Sequence, residues 1–417
     1  MARRRASYVS LVARAAVEMA FVCSSMAGSA TTSSIAMTPY TAEWLDLSSQ
    51  SAYRKPTRLP RRITPPRSGA VSFSDPSSER LFTFAGYAEV PSGGGAGSPP
   101  DRFVVNDLFE FVPYDEGGEA PWGWMKVDQG DAPGPRLATT ASAIAGKGAV
   151  MGGWDPQTPG TGGVILDDVA LLDLDTLEWT LDGAPPIPGG PTSRHVSATV
   201  RAADGKSVIC LHNHRCTDHV LLLSQEEGGG MSWEKQAVSG SVPSSRGLHC
   251  ATTIGGDIGR GVVVFGGAAQ DGAMSNEAFF LDTITWRWTK LDCGDQAPPP
   301  RAGASLCQLD EHTIILFGGA TPGGGGLVGL NDLWILQIDP NRGKGTWTCL
   351  MEHGSSDANG KVKPPGRNAA TLSLVDALSM PKSCGIGREE KTYLLQGGWD
   401  PFRVTFNDMY VLTVKSC

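Results

Sequence analysis

Six arginines offer the most legible chemistry in this chain. Each ends a Pro-containing turn and opens a strand of small residues: PPRSGA at Arg67, GPRLAT at Arg136, PTSRHVSA at Arg194, PSSRGLHC at Arg246, PPPRAGA at Arg301 and PPGRNAA at Arg367. A guanidinium is a rigid fork of donors that grips a carboxylate or phosphate through two parallel hydrogen bonds. A second cluster, CLHNHRCTDH, sets Cys210, His212, His214, Cys216 and His219 close together in sequence. Thiolate and imidazole are the ligands zinc prefers, and strand alternation puts Cys210, His212 and His214 on one side. The spacing nevertheless matches no closed zinc motif. No metal or other cofactor is assigned; Cys210, Cys216, His212 and His214 are the residues that would hold a metal.

Other catalytic signatures are missing from the sequence. It has no Gly-rich phosphate loop followed by Lys-Ser/Thr, no HExxH and no GxSxG. The expectation is therefore a protein without catalysis.

Composition narrows the class further. The 417 residues are 40% hydrophobic, enough for a sizeable core, and the 53 glycines and 29 prolines point to many short strands joined by many turns. Residues 1–62 carry nine basic and three acidic side chains, leaving 26 basic and 40 acidic groups, about −14, for the rest. A nucleic-acid-binding body would show the opposite balance. No run of 18 apolar residues exists to span a bilayer. The nine cysteines include no CxxC pair and read as reduced thiols of an intracellular protein, with Cys250 and Cys307 packing as small hydrophobes of inner strands. The leader, residues 1–40, is rich in Arg, Ala and Ser and reads as a disordered tail or an organellar transit peptide. Cytoplasmic residence is expected, with an organelle as the alternative.

The arginines recur at spacings of 69, 58, 52, 55 and 66 residues, which marks internal repeats. An apolar strand follows each turn and usually ends in Gly-Gly: LFTFAGY up to Tyr87, AVMGGW up to Trp154, VVVFGGA, IILFGGA, and YLLQGGW up to Trp399. The third repeat departs, with His212-Asn213 read in the place of Gly-Gly. An acidic or Asn-Asp turn opens the next strand at Asn106, Asp167, Asn276, Asn331 and Asn407, and tryptophan strands follow at Trp124, Trp179, Trp233, Trp288 and Trp347.

In this ordered recurrence residues 41–417 resemble the Kelch repeat family. The resemblance implies an all-β, six-bladed β-propeller of the galactose oxidase-like central-domain type, and a role as a protein-interaction scaffold. Copper-radical oxidases share the architecture but need a Tyr, Cys and His constellation. The seven tyrosines here, three of them before residue 60, do not assemble one. The physics agrees with the fold: a four-stranded meander cannot bury both faces alone, so successive units stack radially.

The sixth repeat stops after its third strand, while AEWLDL near the start has the alternation and tryptophan of a fourth. The N-terminal segment is expected to complete the last blade and close the ring. In such a meander the turns before the first strand and the loops after the second emerge on one face. That face is the expected partner surface, carrying Arg67, Arg136, Arg194, Arg246, Arg301 and Arg367 with Tyr87, Trp154 and Trp399. Its partner is expected to be an acidic or phosphorylated peptide segment. The competing reading of the arginines is that each pairs with a turn carboxylate such as Asp107 or Asp332 and ties its own blade. The competing function is a metal-assisted enzyme or small-anion-binding protein that uses the His/Cys cluster and the arginine face.

Overall fold

The computed structural model of the protein describes residues 40–48, 64–75, 80–90, 101–112, 123–158, 162–256, 259–354, 362–375, 390–401 and 403–416. The leader expectations fall outside them, apart from Tyr40. Strands, turns and loops make up all of the described residues, with no helix.

Six sheets form the body, antiparallel throughout but for one short parallel pair in blade four. From the innermost strand outward, blade one is Val71–Asp75, Arg80–Phe84, Leu108–Val112 and Gly123–Lys126. Blade two is Thr140–Ile144, Lys147–Asp155, Val164–Asp173 and Trp179–Thr180. Blade three is Val196–Arg201, Ser207–His212, His219–Gln225 and Met231–Ala237. Blade four is Cys250–Ile254, Gly261–Phe265, Ala278–Asp282 and Arg287–Lys290, extended by Ser239–Gly240. Blade five is Ser305–Gln308, Thr313–Phe317, Leu333–Asp339 and Lys344–Met351.

Blade six takes its outer strand from the other end of the chain. Thr371–Val375, Lys391–Gln396 and Met409–Ser416 are followed by Tyr40–Asp46, which pairs in unbroken register from Tyr40 with Ser416 to Asp46 with Tyr410. Trp44 is buried there, its ring 5.0 Å from Phe317 of blade five. The Tyr40 hydroxyl donates to Asp310 Oδ2 of blade five at 2.7 Å. The first strand thus locks two blades at once.

Six apolar clusters fill the spaces between neighbouring sheets, including one of Leu47, Leu81, Phe111, Trp124 and Val411 between blades six and one. Within them an outer-strand tryptophan packs on the last aromatic residue of the preceding blade's second strand. Trp179 on Phe84, Trp347 on Phe265 and Trp44 on Phe317 all lie at 5.0 Å. Offset and tilted aromatic contacts at this spacing are favourable beyond the area they bury.

The Gly-Gly pairs work at these interfaces. Gly318 has φ 67°, and a Cβ there would lie 2.7 Å from the Arg367 carbonyl of the next blade. Its follower, Gly319, donates its N–H to that same carbonyl at 2.9 Å. The bond recurs from Gly86 to Arg136, Gly153 to Thr192, Gly267 to Arg301, and from Gly398 of blade six to Arg67 of blade one. Glycine meets this close approach and the left-handed backbone most easily, and in blade one Ala85, with φ 64°, holds the same position as Gly318.

Candidate functional site

The face that carries the turns before each first strand also carries the longer loops. Three of those loops fold into small hairpins: Tyr87–Val90 with Asp101–Val104, Ala320–Gly323 with Gly326–Gly329, and Trp399–Asp400 with Val404–Thr405. A cavity of about 410 Å³ opens between blades five and six on this face, lined by Asn331, His353, Lys363, Asp400 and Arg403 among others.

Five of the six arginines are turned inward. Arg67, Arg136, Arg246, Arg301 and Arg367 are at most 4% exposed. Each donates from one terminal nitrogen to a carbonyl of its own blade, those of Ala85, Gly152, Gly266, Gly318 and Gly397, at 2.8–3.1 Å. The fork then meets Asp107, Asp168, Glu277, Asp332 and Asp408 respectively. In four blades Nε also donates to the carbonyl two residues earlier, at Gly134, Ser244, Pro299 and Pro365.

Burial opposes ionisation of Asp332, yet the hydrogen bonds and charge of Arg301, with the Trp334 indole, hold its carboxyl below the usual range. Glu277 is likewise opposed by burial, but Lys290 and Arg246 bring it down to about 2. This corrects the expectation of six presented guanidiniums. In five blades a carboxylate and a carbonyl of the same blade already occupy the fork.

Blade three breaks the pattern. Val196 pairs with His212 as Cys250 pairs with Phe265 in blade four, so Thr192 matches Arg246 and His195 matches His249. Thr192, not Arg194, stands where the other blades have their tie, and it is buried. His212 then takes the position of Phe265 and faces Trp288 at 5.5 Å, while Asn213-His214 take that of Gly-Gly, one residue later than the sequence reading placed it. The Leu211 to Leu221 pairing, carried one residue on, sets Val220 opposite His212 as Ala278 lies opposite Phe265, so the preceding His219 stands in the place of Glu277. Its Nδ1 lies 2.5 Å from Asp218 Oδ1. Both halves of the ion pair are therefore absent from this blade.

Arg194 sits two residues beyond that position, in a left-handed conformation with φ 59°, half-buried and over the Trp154 ring at 5.8 Å. Its counterparts are Gly69, Ala138, Leu248, Gly303 and Ala369, all with positive φ. Backbone bonds of 2.8–3.0 Å link them from blade to blade: Arg194 to Ala138, Leu248 to Arg194, Gly303 to Leu248, Ala369 to Gly303 and Gly69 to Ala369. Leu248 is 39% exposed beside Arg194.

Tyr87, Trp154 and Trp399 are half-buried, each directly after its blade's glycines. Their backbones pair with Ser68, Leu137 and Asn368, the residues that follow the buried arginines of the same blades. The equivalent position in blade three is Arg215. It donates to the carbonyls of Pro191 at 3.1 Å and Gly190 at 2.6 Å, and lies 3.3 Å from His214 Nε2.

The metal candidates diverge. Among the described residues no three His, Cys, Asp or Glu side chains come together in a way that could hold a metal ion. His212 Nδ1 lies 3.0 Å from His249 Nε2, Cys210 packs in the apolar cluster between blades three and four, and Cys216 points at the Leu211 carbonyl and Asn213. Burial lowers His195 to about 4 and His212 to about 3, and raises Cys250 to about 12. Cys250 is indeed core, and the Cys307 thiol donates to the Leu372 carbonyl of blade six.

Thr192, Arg215 and Leu248 were not foreseen from sequence as parts of this face. A signal existed for the first: Thr192 directly follows Pro191, as Arg67, Arg136 and Arg301 directly follow Pro66, Pro135 and Pro300.

Comparison with known proteins agrees with the architecture. The family model of the KLHDC2/KLHL20/DRC7 Kelch-repeats domain matches residues 27–259 and 229–417. The chain is 25% identical over 239 residues to Acyl-CoA-binding domain-containing protein 6 of Oryza sativa subsp. japonica, covering 55% of this chain and 34% of the relative. It is 29% identical over 250 residues to Adagio protein 3 of Arabidopsis thaliana, covering 55% and 37%. The matched part thus spans little more than a third of either relative's length.

Proposed function

The chain belongs to the Kelch-repeat family, and from that membership we propose that it is a non-catalytic scaffold whose partner, an acidic or phosphorylated protein segment, docks on the face of turns and hairpins. Kelch domains bind protein partners. The observation that carries the choice of face is the clustering there of three loop hairpins, a cavity, and the aromatic side chains Tyr87, Trp154 and Trp399 held at matching positions by backbone pairs. Rigidly framed loops on one end of a repeat ring are where such folds place recognition.

The test is affinity purification of partners with the wild-type chain and two variants. Tyr87→Ala with Trp399→Ala removes aromatic area from the turn face; Asp204→Lys with Glu226→Lys alters turns of the opposite face. Loss of the recovered partner with the first pair alone, at unchanged melting temperature, supports the reading. Loss with the second pair alone overturns it. Cytoplasmic residence is part of the same proposal, and import of a reporter fused to residues 1–40 into an organelle would contradict it.

A further inference from the structure

We infer that the acidic group of the partner is held at one sector of the turn face, by Arg194 and Arg215 of blade three, with Trp154 and Leu248 beside it. This rests on the reading of the turn face as the partner surface.

The argument begins with charge. In blades one, two, four, five and six the guanidinium at the turn is neutralised by a carboxylate of the same blade and sealed from water. An arginine spent in this way offers nothing to a ligand. Blade three lacks both partners, having Thr192 and His219 in their places. Part of the missing tie is supplied from elsewhere. Arg215 reaches the carbonyl of Gly190, two residues before Thr192, as Arg136, Arg246, Arg301 and Arg367 reach the carbonyls two residues before themselves.

No carboxylate replaces the lost one. Among the described residues neither Arg194 nor Arg215 forms an ion pair, and both are only half-buried. Arg215, from the next loop of the same blade, bonds the turn that leads to Arg194, at the carbonyls of Gly190 and Pro191. Carbonyl bonds from Nη1 and Nη2 fix the Arg215 guanidinium, whose Nε is buried, so it is the second hydrogen of Nη2 that stays for a ligand; the Arg194 guanidinium lies over the Trp154 ring at 5.8 Å. A guanidinium already held in place, with that of Arg194 on the same turn face, loses little freedom on binding an oxyanion.

Shape selects the same sector. Of the six left-handed residues in this series, four are Gly or Ala: Gly69, Ala138, Gly303 and Ala369. The two with long side chains, Arg194 and Leu248, are adjacent and joined by a backbone bond. Left-handed backbone is unfavourable for such residues, and strain of this kind gathers at binding sites. The pair sets an apolar contact beside the anion site, so the ligand is a peptide segment in which an Asp, Glu or phosphorylated residue lies next to an apolar one.

Fluorescence anisotropy with three labelled pentapeptides tests this: Gly-Leu-Glu-Glu-Gly, the same peptide with phosphoserine-Gly in place of Glu-Glu, and Gly-Leu-Gln-Gln-Gly as the neutral control. The wild-type chain should bind one of the first two at least tenfold more tightly than the control, and whichever binds identifies the oxyanion as carboxylate or phosphate. Arg194→Gln and Arg215→Gln should each weaken that binding roughly tenfold or more. Arg342→Gln, in an exposed turn of the opposite face, should leave it unchanged. Arg194 holds its neighbours through its backbone alone, and a change of its side chain leaves those bonds in place, so its variant keeps the test open if Arg215→Gln unfolds. Equal binding of all three peptides, no binding of either anionic peptide, or full affinity in Arg194→Gln overturns the assignment. If partner recovery still depends on Tyr87 and Trp399 while Arg194→Gln is silent, the sector is wrong and the face stands.

Discussion

Arg301 and Asp332 meet through two hydrogen bonds of 2.8 and 2.7 Å with neither side chain more than 4% exposed. A pair this deep is not free to serve a ligand, and its members depend on each other. Removing one leaves the other as a buried uncompensated charge, which costs about 3–5 kcal/mol.

Arg301→Ala should therefore lower stability by about 3–5 kcal/mol in chemical unfolding. Arg136→Ala should cost less, because its partner Asp168 is 43% exposed and can be solvated once alone. Normal stability with lost partner binding in Arg301→Ala would instead mark the arginine as a direct contact.

The N-terminal strand gives a second expectation. Trp44 fills the space between blades five and six, against Phe317 and Tyr410. Trp44→Ala should cost about 3–5 kcal/mol, and deletion of residues 1–50 at least as much. Tyr40→Phe removes one hydroxyl bond to Asp310 and should cost about 1 kcal/mol. A truncated chain melting at the wild-type temperature would show that the pairing with Met409–Ser416 contributes nothing.

The sequence exposes the repeat because the same physics recurs from blade to blade: glycine at most of the places where two backbones touch, tryptophan where two sheets face each other, a turn before each inner strand. It also shows the wandering strand, since a lone Trp44 in alternating sequence has no other repeat to join. The state of the arginines was harder to read. Whether a guanidinium faces water or its own blade depends on a carboxylate some thirty to forty residues away, as with Arg67 and Asp107. Blade three hid its exception because Arg194 mimics the tie in type while lying two residues out of register, and only the pairing of Val196 with His212 reveals Thr192 in its place.

The buried histidines set the acid response. Burial holds His195 to about 4 and His212 to about 3, against 6.5 for the exposed ring, and places His249 well below its ordinary value. As pH falls below 6.5 the unfolded chain takes up protons that the folded chain refuses. Stability is thus full above 6.5 and declines toward pH 4, by at most ~1.4 kcal/mol per pH unit for each histidine. The ties respond later, because Glu277, down at about 2, begins to lose its advantage only below its unfolded value of 4.5. His195→Asn should flatten the fall in melting temperature between pH 6.5 and 4.5; a slope identical to wild type would mean that His195 is protonated in the folded state.

The lost ion pair of blade three can be rebuilt. Thr192→Arg alone places a guanidinium at a position only 1% exposed with no carboxylate to meet it, and should destabilise the chain. His219→Asp alone breaks the contact with Asp218 and sets two acidic residues side by side. Together they restore the arrangement of Arg246 with Glu277 in the next blade, so their effects should not add. A double-mutant cycle by chemical unfolding should give a favourable coupling of about 1.5–3 kcal/mol, the range of a charged hydrogen bond. The rebuilt arginine would also take over the Gly190 carbonyl and displace Arg215 from it. Strictly additive effects would mean that positions 192 and 219 do not face each other, and the register that makes blade three an exception would have to be redrawn.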